Sequence, residues 1–439
     1  MIERGKLSML GHRGFFLIDM MRRTSALDLL CQLESVQFES PVTIQQRQKQ
    51  SLTNYFDTLR DCIPLYANYH SFEQLPVIDK AFANRHRECL MNPGYSGKRI
   101  RKKTGGSTGE PFVYFTGTSS QSYLWAGILL SWRVTGYRLG EPVAFFAGSS
   151  LFGTGYKEKV YHKLMNITLF SAFDLSQERM RSYAEAIASG GFRLLYGYAS
   201  AIYQLARHIL GSRRLRFALR GIVCTAEVLT PVMRETIETA FSAPCLNQYG
   251  CNDGGVSAYE CELKQGLHLI TTRSYPEVLE SGKLISTDLS NQTFFLPRYD
   301  TGDLVVMDDN PCPCGRGFPL IREVIGRSND LVFDQAGSTV HSEFFTHMFR
   351  EDGRILAFQV LYDRCNLVVN LHCREAENAW LIYRKRIQAA LVFDNISFVE
   401  NLSFVPMANG KHRFVMRVDD VDAALAATGS MQGSEKTAS

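Results

Sequence analysis

Arg298-Tyr-Asp-Thr-Gly-Asp-Leu304 opens a loop-rich segment that continues with Cys312-Pro-Cys-Gly-Arg316 and Ile325-Gly-Arg-Ser-Asn-Asp330. Asp303 in the first motif follows a turn-forming glycine and precedes the apolar run 304–307, which predicts that its carboxylate lies at the entrance of a strand. There it would accept two hydroxyl hydrogen bonds, which a ribose diol would supply. For Thr-Gly-Asp alone, an Asx-type turn ahead of a strand is the simpler interpretation.

Upstream of this segment, residues 143–249 alternate between short apolar runs and amphipathic stretches. The pattern predicts strands at Val143–Phe146, Leu194–Gly197, Gly221–Cys224 and Cys245–Tyr249, and helices at Gln177–Ser189, Ala199–Ile209 and Pro231–Phe241. This alternation indicates a layered α/β domain with a largely parallel sheet, whose strand ends are where ligands collect.

The two ends of the chain have different patterns. Residues 1–95 are predicted to form amphipathic helices within a large domain that ends at residue 328. A small α+β domain is predicted over residues 329–428, with strands at Ile355–Tyr362 and Asn366–Leu371 and a helix at Glu375–Leu391. Residues 429–439 are small and polar and are expected to be disordered.

The composition is that of an ordinary globular protein: 45% of the 439 residues are hydrophobic, 21% are charged, and the formal net charge is +4. The basic cluster at 98–103 lacks interleaved aromatic residues, which favours a solvated or polyphosphate-facing surface over nucleic-acid binding. Arg13 and Asp19 interrupt the apolar stretch that a signal peptide would need, and Tyr123–Val134 is too short to span a membrane. A cytoplasmic location is therefore expected, with the eleven cysteines reduced.

A loop rich in glycine and hydroxyl groups precedes the strand-like run Phe112–Phe115. Backbone NH groups of such a loop can surround phosphate oxygens while its hydroxyls add donors. The candidate phosphate-binding residues are Thr104, Gly105, Gly106, Ser107, Thr108 and Gly109. The chain has neither a Walker loop nor a G-x-G-x-x-G motif, and a flexible surface turn explains the composition equally well.

Six segments resemble motifs of the adenylate-forming enzymes and occur in the order found in that family. Within the family, the resemblance is to the branch of phenylacetate-coenzyme A ligase and CapK-like proteins. They are the phosphate loop Thr104–Pro111, the adenine segment Thr225–Glu227, the Tyr-Gly-x-x-Glu motif at Tyr249–Asp253, the ribose motif Tyr299–Leu304, the hinge Gly326–Asp330 and the catalytic-lysine loop Asn409–Lys411. Each motif is weak alone, but their order covers nearly the whole chain.

The resemblance implies that a carboxylic acid attacks the α-phosphate of ATP to give an acyl-adenylate, which then passes to a thiol, commonly coenzyme A. Catalysis would consist of positioning two anions and neutralising the charge that develops. The implied roles are phosphate binding by the loop NH groups with Ser107 and Thr108, nucleotide contacts by Ala226, Glu227, Tyr249 and Arg327, ribose binding by Asp303, magnesium binding by Asp253, and contact with the reacting carboxylate and α-phosphate by Lys411.

Two departures from the family pattern leave alternatives open. Glu110 occupies a position where many members have Lys, and Asp253 replaces Glu, which shortens the reach to magnesium by one methylene. The alternatives are transfer of the acyl group to a protein thiol or an amine, as in capsule or secondary-metabolite assembly, and a nucleotide-binding protein without turnover. Tyr196–Ala199 and Cys224 are the candidate pocket walls, whose aromatic lining would suit an aryl or short acyl acid, but these residues suit a core equally well.

Three thiols and one imidazole form two close pairs, Cys261 with His268 and Cys312 with Cys314. This set of ligands suits tetrahedral zinc without an open position, and therefore a structural ion. Some relatives of phenylacetate-coenzyme A ligase have a similar arrangement. The spacing is not that of a standard zinc finger, so ordinary buried thiols remain the alternative.

Overall fold

The computed structural model describes residues 13–104, 112–147, 156–172, 175–211, 215–327, 331–335, 339–341, 343–350, 352, 354–373, 379–400, 404–405 and 414–426. These residues form two units, which we call the large unit, up to Val324, and the small unit, from Ile325 onward. Within the described residues, no helix is long and apolar enough to cross a membrane.

The large unit begins with helices that contribute to two hydrophobic clusters. They are α1 (13–22), α2 (Ala26–Val36), α3 (Pro41–Cys62) and α4 (Lys80–Arg85), with short 3-10 turns at Pro64–Tyr66 and Phe72–Gln74. Helix α3 starts where Ser40 accepts a hydrogen bond from the amide of Thr43 and a proline occupies the first position. Its buried residues Tyr55 and Leu59 pack in the same cluster as Tyr299 of the ribose motif. The N-terminal helices therefore support the candidate site directly.

An eleven-stranded sheet forms the centre of the large unit. Five of its strands are parallel: β3 (Val143–Ala147), β4 (Ile167–Ser171), β5 (Leu194–Tyr198), β6 (Gly221–Thr225) and β7 (Cys245–Cys251). The helices that accompany them are α5 (Thr118–Val134), α6 (Tyr156–Leu164), α7 (Gln177–Ser189), α8 (Ala199–Leu210) and α9 (Pro231–Phe241). These strands are mostly buried, as their nearly continuous apolar sequences require.

The rest of this sheet corrects the prediction of a largely parallel sheet. It consists of β8 (Val256–Glu260), β9 (Leu267–Leu269), β10 (Ser274–Val278), β11 (Lys283–Asp288), β12 (Tyr299–Asp308) and β13 (Leu320–Arg327). The strand order across the whole sheet is β10-β11-β12-β13-β9-β8-β7-β6-β5-β3-β4. The pairs β7–β8, β8–β9, β9–β13, β11–β12 and β10–β11 are all antiparallel. Short connections join several of these strands without a crossover helix, so neighbours run in opposite directions.

Asp303 lies inside β12, so its predicted position at a strand entrance is wrong. The pairing of β12 with β11 shifts register between Lys283 and Ile285, and Gly302 has a φ of 77°. Thr-Gly-Asp is therefore an irregularity within a strand, where glycine avoids the steric cost of the left-handed conformation. Tyr299, Thr301 and Asp303 are buried in alternation along the strand.

A separate antiparallel pair, β1 (Ile100–Thr104) and β2 (Phe112–Thr116), flanks the glycine-rich segment. The small unit contains a second pair, β14 (Leu331–Phe333) with β15 (Thr339–His341). Its remaining elements are β16 (Ile355–Tyr362), β17 (Asn366–Cys373), β18 (Asn395–Glu400), β19 (Val415–Arg417), α10 (Glu343–Arg350), α11 (Ala379–Ala390) and α12 (Val421–Ala426). The four strands β16 to β19 form one sheet in the order β18-β17-β16-β19. The predicted fold class, a layered α/β part with a small α+β part, is confirmed.

Candidate active site and metal centre

Two tyrosines link the carboxylates of the Tyr249–Asp253 and Tyr299–Leu304 motifs. The hydroxyl of Tyr249 donates to Asp303 Oδ2 at 2.6 Å, and the hydroxyl of Tyr299 donates to Asp253 Oδ2 at 2.8 Å. Each motif thus holds the carboxylate of the other. Asp253 and Asp303 are only 5% and 6% exposed, so these hydrogen bonds to charged acceptors stabilise two acids that burial alone would disfavour.

Cys251 is a third donor in this network, which the sequence did not reveal. Its thiol lies 3.0 Å from Asp253 Oδ1. Burial raises the pKa of Cys251 well above its ordinary value, and the carboxylates of Asp253 and Asp303 raise it further. The thiol therefore keeps its proton and remains a donor to Asp253, rather than becoming a nucleophile.

The segment predicted to line the adenine lies at the carboxyl edge of the parallel strands. Thr225 ends β6 and pairs with Tyr198 at the end of β5. Ala226 then has a φ of 67°, and Glu227 Oε2 accepts a hydrogen bond from the amide of Ser200 at 2.7 Å. Glu227 therefore holds the first turn of α8, and the irregular backbone lies where α/β sheets usually bind ligands.

Several predicted site residues are beyond what the structure describes. Gly105, Gly106, Ser107, Thr108 and Gly109 of the phosphate loop and Lys411 of the lysine loop lie outside the described residues. The backbones of Thr104 and Arg327 are described as ends of β1 and β13, but their side chains are not. Their roles remain predictions.

The predicted zinc ligands Cys261, His268, Cys312 and Cys314 are brought together: all four ligand atoms lie within 4.8 Å of one another. The Sγ atoms of Cys261 and Cys312 are 3.7 Å apart, and Cys314 Sγ lies 3.4 Å from His268 Nε2. The pairing of Leu320 in β13 with His268 in β9 joins the two halves of the cluster. A sulfur separation of this size is far longer than a disulfide bond.

Burial determines the protonation of this cluster when no metal is bound. It raises the pKa of Cys261 to about 12 and also raises that of Cys312. It lowers the pKa of His268 to about 4, which keeps the imidazole neutral, as a metal ligand must be. Burial also opposes ionisation of Cys314, but hydrogen bonds from the backbone and side chain of Arg316 bring its pKa below the ordinary value.

Arg316 provides a positive charge beside the cluster, a role that its position next to the cysteines in the sequence did not by itself predict. Its guanidinium donates to Gln37 Oε1 at 2.9 Å and pairs with Glu262 at 3.1 Å. The hydroxyl of Tyr259 donates to the same Gln37 oxygen at 2.7 Å. The charge is thus held in a fixed position by Gln37 and by the segment 259–262 of the large unit.

Comparisons with known proteins agree with this architecture. The chain is 28% identical to protein CapK of Staphylococcus aureus over 272 residues, 60% of each chain, and 29% identical to the phenylacetate-coenzyme A ligase of Thermus thermophilus over 129 residues. The structure of 2-hydroxyisobutyryl-CoA ligase in the postadenylation state, in complex with R3-HIB-AMP, superposes with a TM-score of 0.64 at 16% identity, covering 88% of this chain and 90% of that one. The chain has the fold of the adenylate-forming ligases. The resemblance seen in the sequence motifs is confirmed.

The extent of these matches differs between the comparisons. The matched region spans 60% of the length of CapK and 29% of the length of the phenylacetate-coenzyme A ligase. No family model matches the chain. The assignment of the adenylate-forming fold therefore depends on the two sequence relatives and the solved structure together.

Proposed function

We propose that this protein activates a carboxylic acid with ATP and transfers the acyl group to a thiol, with coenzyme A as the first candidate. The reciprocal pairing of Tyr249 with Asp303 and Tyr299 with Asp253 carries the proposal. It joins, through two hydrogen bonds, the two motifs to which the resemblance assigns ribose and magnesium binding. A plain structural turn in either motif would not require the tyrosine of the other.

In the first half-reaction a carboxylate oxygen attacks the α-phosphorus of ATP, and the bond to the β-phosphate oxygen breaks to release pyrophosphate. Asp303 would accept hydrogen bonds from the ribose hydroxyls, and Tyr249 would fix the orientation of this carboxylate. Lys411 and Arg327 would contact the reacting anions, and the NH groups and hydroxyls of the 104–109 loop would bind phosphate oxygens. In the second half-reaction a thiolate attacks the acyl carbon, and AMP leaves.

Asp253 fits the proposed role of magnesium ligand, because a carboxylate oxygen is the donor that this hard cation prefers. Its position is fixed by Tyr299 and Cys251 before any ligand binds. Magnesium bound there would neutralise part of the phosphate charge.

We also propose that Cys261, His268, Cys312 and Cys314 bind one structural zinc ion. Zinc–sulfur bonds of about 2.3 Å place two sulfurs of a tetrahedron about 3.8 Å apart. The separation of 3.7 Å between Cys261 and Cys312 fits this geometry. Three thiolates and one zinc ion have a net charge of −1, which the guanidinium of Arg316 would balance. A cytoplasmic location, where thiols remain reduced, belongs to the same proposal.

Transfer to a protein thiol or an amine is the second candidate, because the match to CapK is longer than the match to the coenzyme A ligase. Exchange of labelled pyrophosphate into ATP, measured across a panel of aryl and short aliphatic acids, tests the activation step. We expect exchange that depends on one class of acid, and its absence with every acid would contradict the proposal. Adding coenzyme A to the active mixture then separates the two acceptors, because only the first candidate gives an acyl-coenzyme A.

A further inference from the structure

Lys80, the first residue of α4, brings an ammonium group to the Asp253 carboxylate. Its Nζ lies 3.9 Å from Asp253 Oδ2, and its side chain is 27% exposed. This distance makes an ion pair but is too long for a hydrogen bond. Among the described residues, no acceptor lies within hydrogen-bond distance of Nζ. Within the described part of the chain, the three N–H donors of this ammonium are therefore available to a ligand.

Packing fixes the position from which Lys80 extends. The side chain of Asp79 caps α4 by accepting from the amide of Phe82 at 2.7 Å. Ala83, one turn along the helix, is fully buried in the cluster that also contains Phe112 and Tyr299. The rings of Phe112 and Tyr299 are 5.9 Å apart, and the hydroxyl of Tyr299 holds Asp253. Helix α4 and the Asp253 carboxylate thus share one rigid support.

The hydrophobic cluster that contains Phe112 and Tyr299 is connected directly to the glycine-rich segment, because Phe112 follows Pro111 in the sequence. In that segment Glu110 stands where many adenylate-forming enzymes have Lys, so the loop contributes a negative charge where a positive one is usual. The triphosphate of ATP requires cations around it, and Asp253 and Asp303 add two more negative charges. A cation beside Asp253 would therefore add to the positive charges proposed for Arg327, Lys411 and magnesium.

We propose that Lys80 supplies this cation and donates hydrogen bonds to the phosphate oxygens that leave as pyrophosphate. The inference rests on the proposed function, since it assumes that ATP binds at the Asp253 and Asp303 motifs. Asp253 would hold the ammonium near its working position before ATP arrives, and the short move to phosphate would exchange a long ion pair for charge-assisted hydrogen bonds. Lys80 would thus replace the cation that Glu110 does not provide.

Calorimetric titration of Lys80→Ala with ATP, inorganic pyrophosphate and AMP, each with magnesium, tests the role. We expect the dissociation constants of ATP and pyrophosphate to rise about tenfold to a hundredfold, the range for one charge-assisted hydrogen bond. That of AMP should change less than about twofold, because AMP lacks the phosphates in question. Lys80→Arg, which keeps the charge, should recover most of the affinity for pyrophosphate.

Lys264→Ala is the matched control. Lys264 pairs with Glu238 in the same unit, both side chains are 30% exposed, and neither belongs to the proposed site. This variant should bind all three ligands as the unmodified protein does. Equal weakening of ATP and AMP in Lys80→Ala would show a structural role instead, and unchanged ATP and pyrophosphate affinities would show a plain ion pair. If the unmodified protein binds no ATP, both the proposed function and this inference are wrong. If the unmodified protein catalyses pyrophosphate exchange and Lys80→Ala binds ATP and pyrophosphate with unchanged affinity, only the role of Lys80 is wrong.

Discussion

The cluster of three cysteines and His268 and the pair of carboxylates are both largely buried, and both join residues about fifty positions apart near the antiparallel part of the large sheet. They differ in what completes them. The four donors of Cys261, His268, Cys312 and Cys314 converge within 4.8 Å and would be satisfied by one ion. Asp253 and Asp303 are already oriented by protein donors. The cluster should therefore govern stability, and the carboxylates should govern affinity for a ligand.

Lys411→Ala should produce the largest effect. It should lower activity alone, which makes it a reference for variants that change stability or ligand affinity. We expect adenylation to fall by about a hundredfold to a thousandfold or more, because the charge on Lys411 would be needed only as the α-phosphate reacts. ATP binding, thermal stability and thiol transfer from a preformed adenylate should be largely retained. Pyrophosphate exchange measures the loss, and normal exchange in this variant would remove Lys411 from the mechanism.

Cys312→Ser should affect stability before activity. We expect loss of the metal and a fall in melting temperature of at least about 5 °C, because a structural zinc stabilises only the folded state. A chelator should have the same effect on the unmodified protein. Elemental analysis and thermal unfolding measure both quantities. Cys365→Ser, a half-buried cysteine of the small unit, is the control and should change neither. Less than about a tenth of an equivalent of zinc in protein purified without added metal would identify ordinary buried thiols instead.

Asp303→Ala should weaken ATP binding without lowering the thermal stability that the cluster of three cysteines and His268 is proposed to provide. A charge-assisted acceptor for the ribose hydroxyls contributes about 1.5 to 3 kcal/mol, so the dissociation constant should rise about tenfold to a hundredfold. AMP should be weakened to a similar extent, because it has the same ribose. Calorimetry with both nucleotides decides the matter, and an unchanged constant would show that Asp303 only shapes the strand.

Tyr249→Phe should have the smallest effect. It removes the hydroxyl that orients Asp303 but leaves the carboxylate, so we expect ATP to bind about threefold to tenfold more weakly. The double variant with Asp303→Ala should bind ATP no more weakly than Asp303→Ala alone, because Tyr249 acts through that carboxylate. Additive losses in this cycle would mean that the tyrosine contacts the nucleotide by itself.

Local signals made much of this fold predictable from sequence. The bounds of the helices Gln177–Ser189 and Pro231–Phe241 match the structure, because Ser176 and Thr230 cap them and their apolar periodicity is short-range. The direction of the later strands and the position of Asp303 inside β12 were missed. Both depend on which strands pair, and the register shift beside Ile285 arises only in the assembled sheet.

In the candidate site, too, residues close in sequence could be predicted to act together, whereas contacts between distant segments could not. The spacing of the cysteines and of His268 indicated a shared metal site, because each pair of ligands is close in sequence. Lys80 gave no such signal, since the carboxylate that it faces belongs to a distant segment and only packing of α4 against Phe112 and Tyr299 brings them together. The pairing of Tyr249 with Asp303 likewise required the folded sheet.

The backbone of Ala226 limits how this protein can change by mutation. With a φ of 67°, alanine at this position retains about 1 to 2 kcal/mol of strain that glycine would not have. Glycine is therefore an accessible replacement, whereas valine or isoleucine would force the chain out of this conformation and turn Glu227 away from the amide of Ser200. A saturation library at residue 226 should accordingly retain small residues and lose β-branched ones, even where the new side chain touches no ligand.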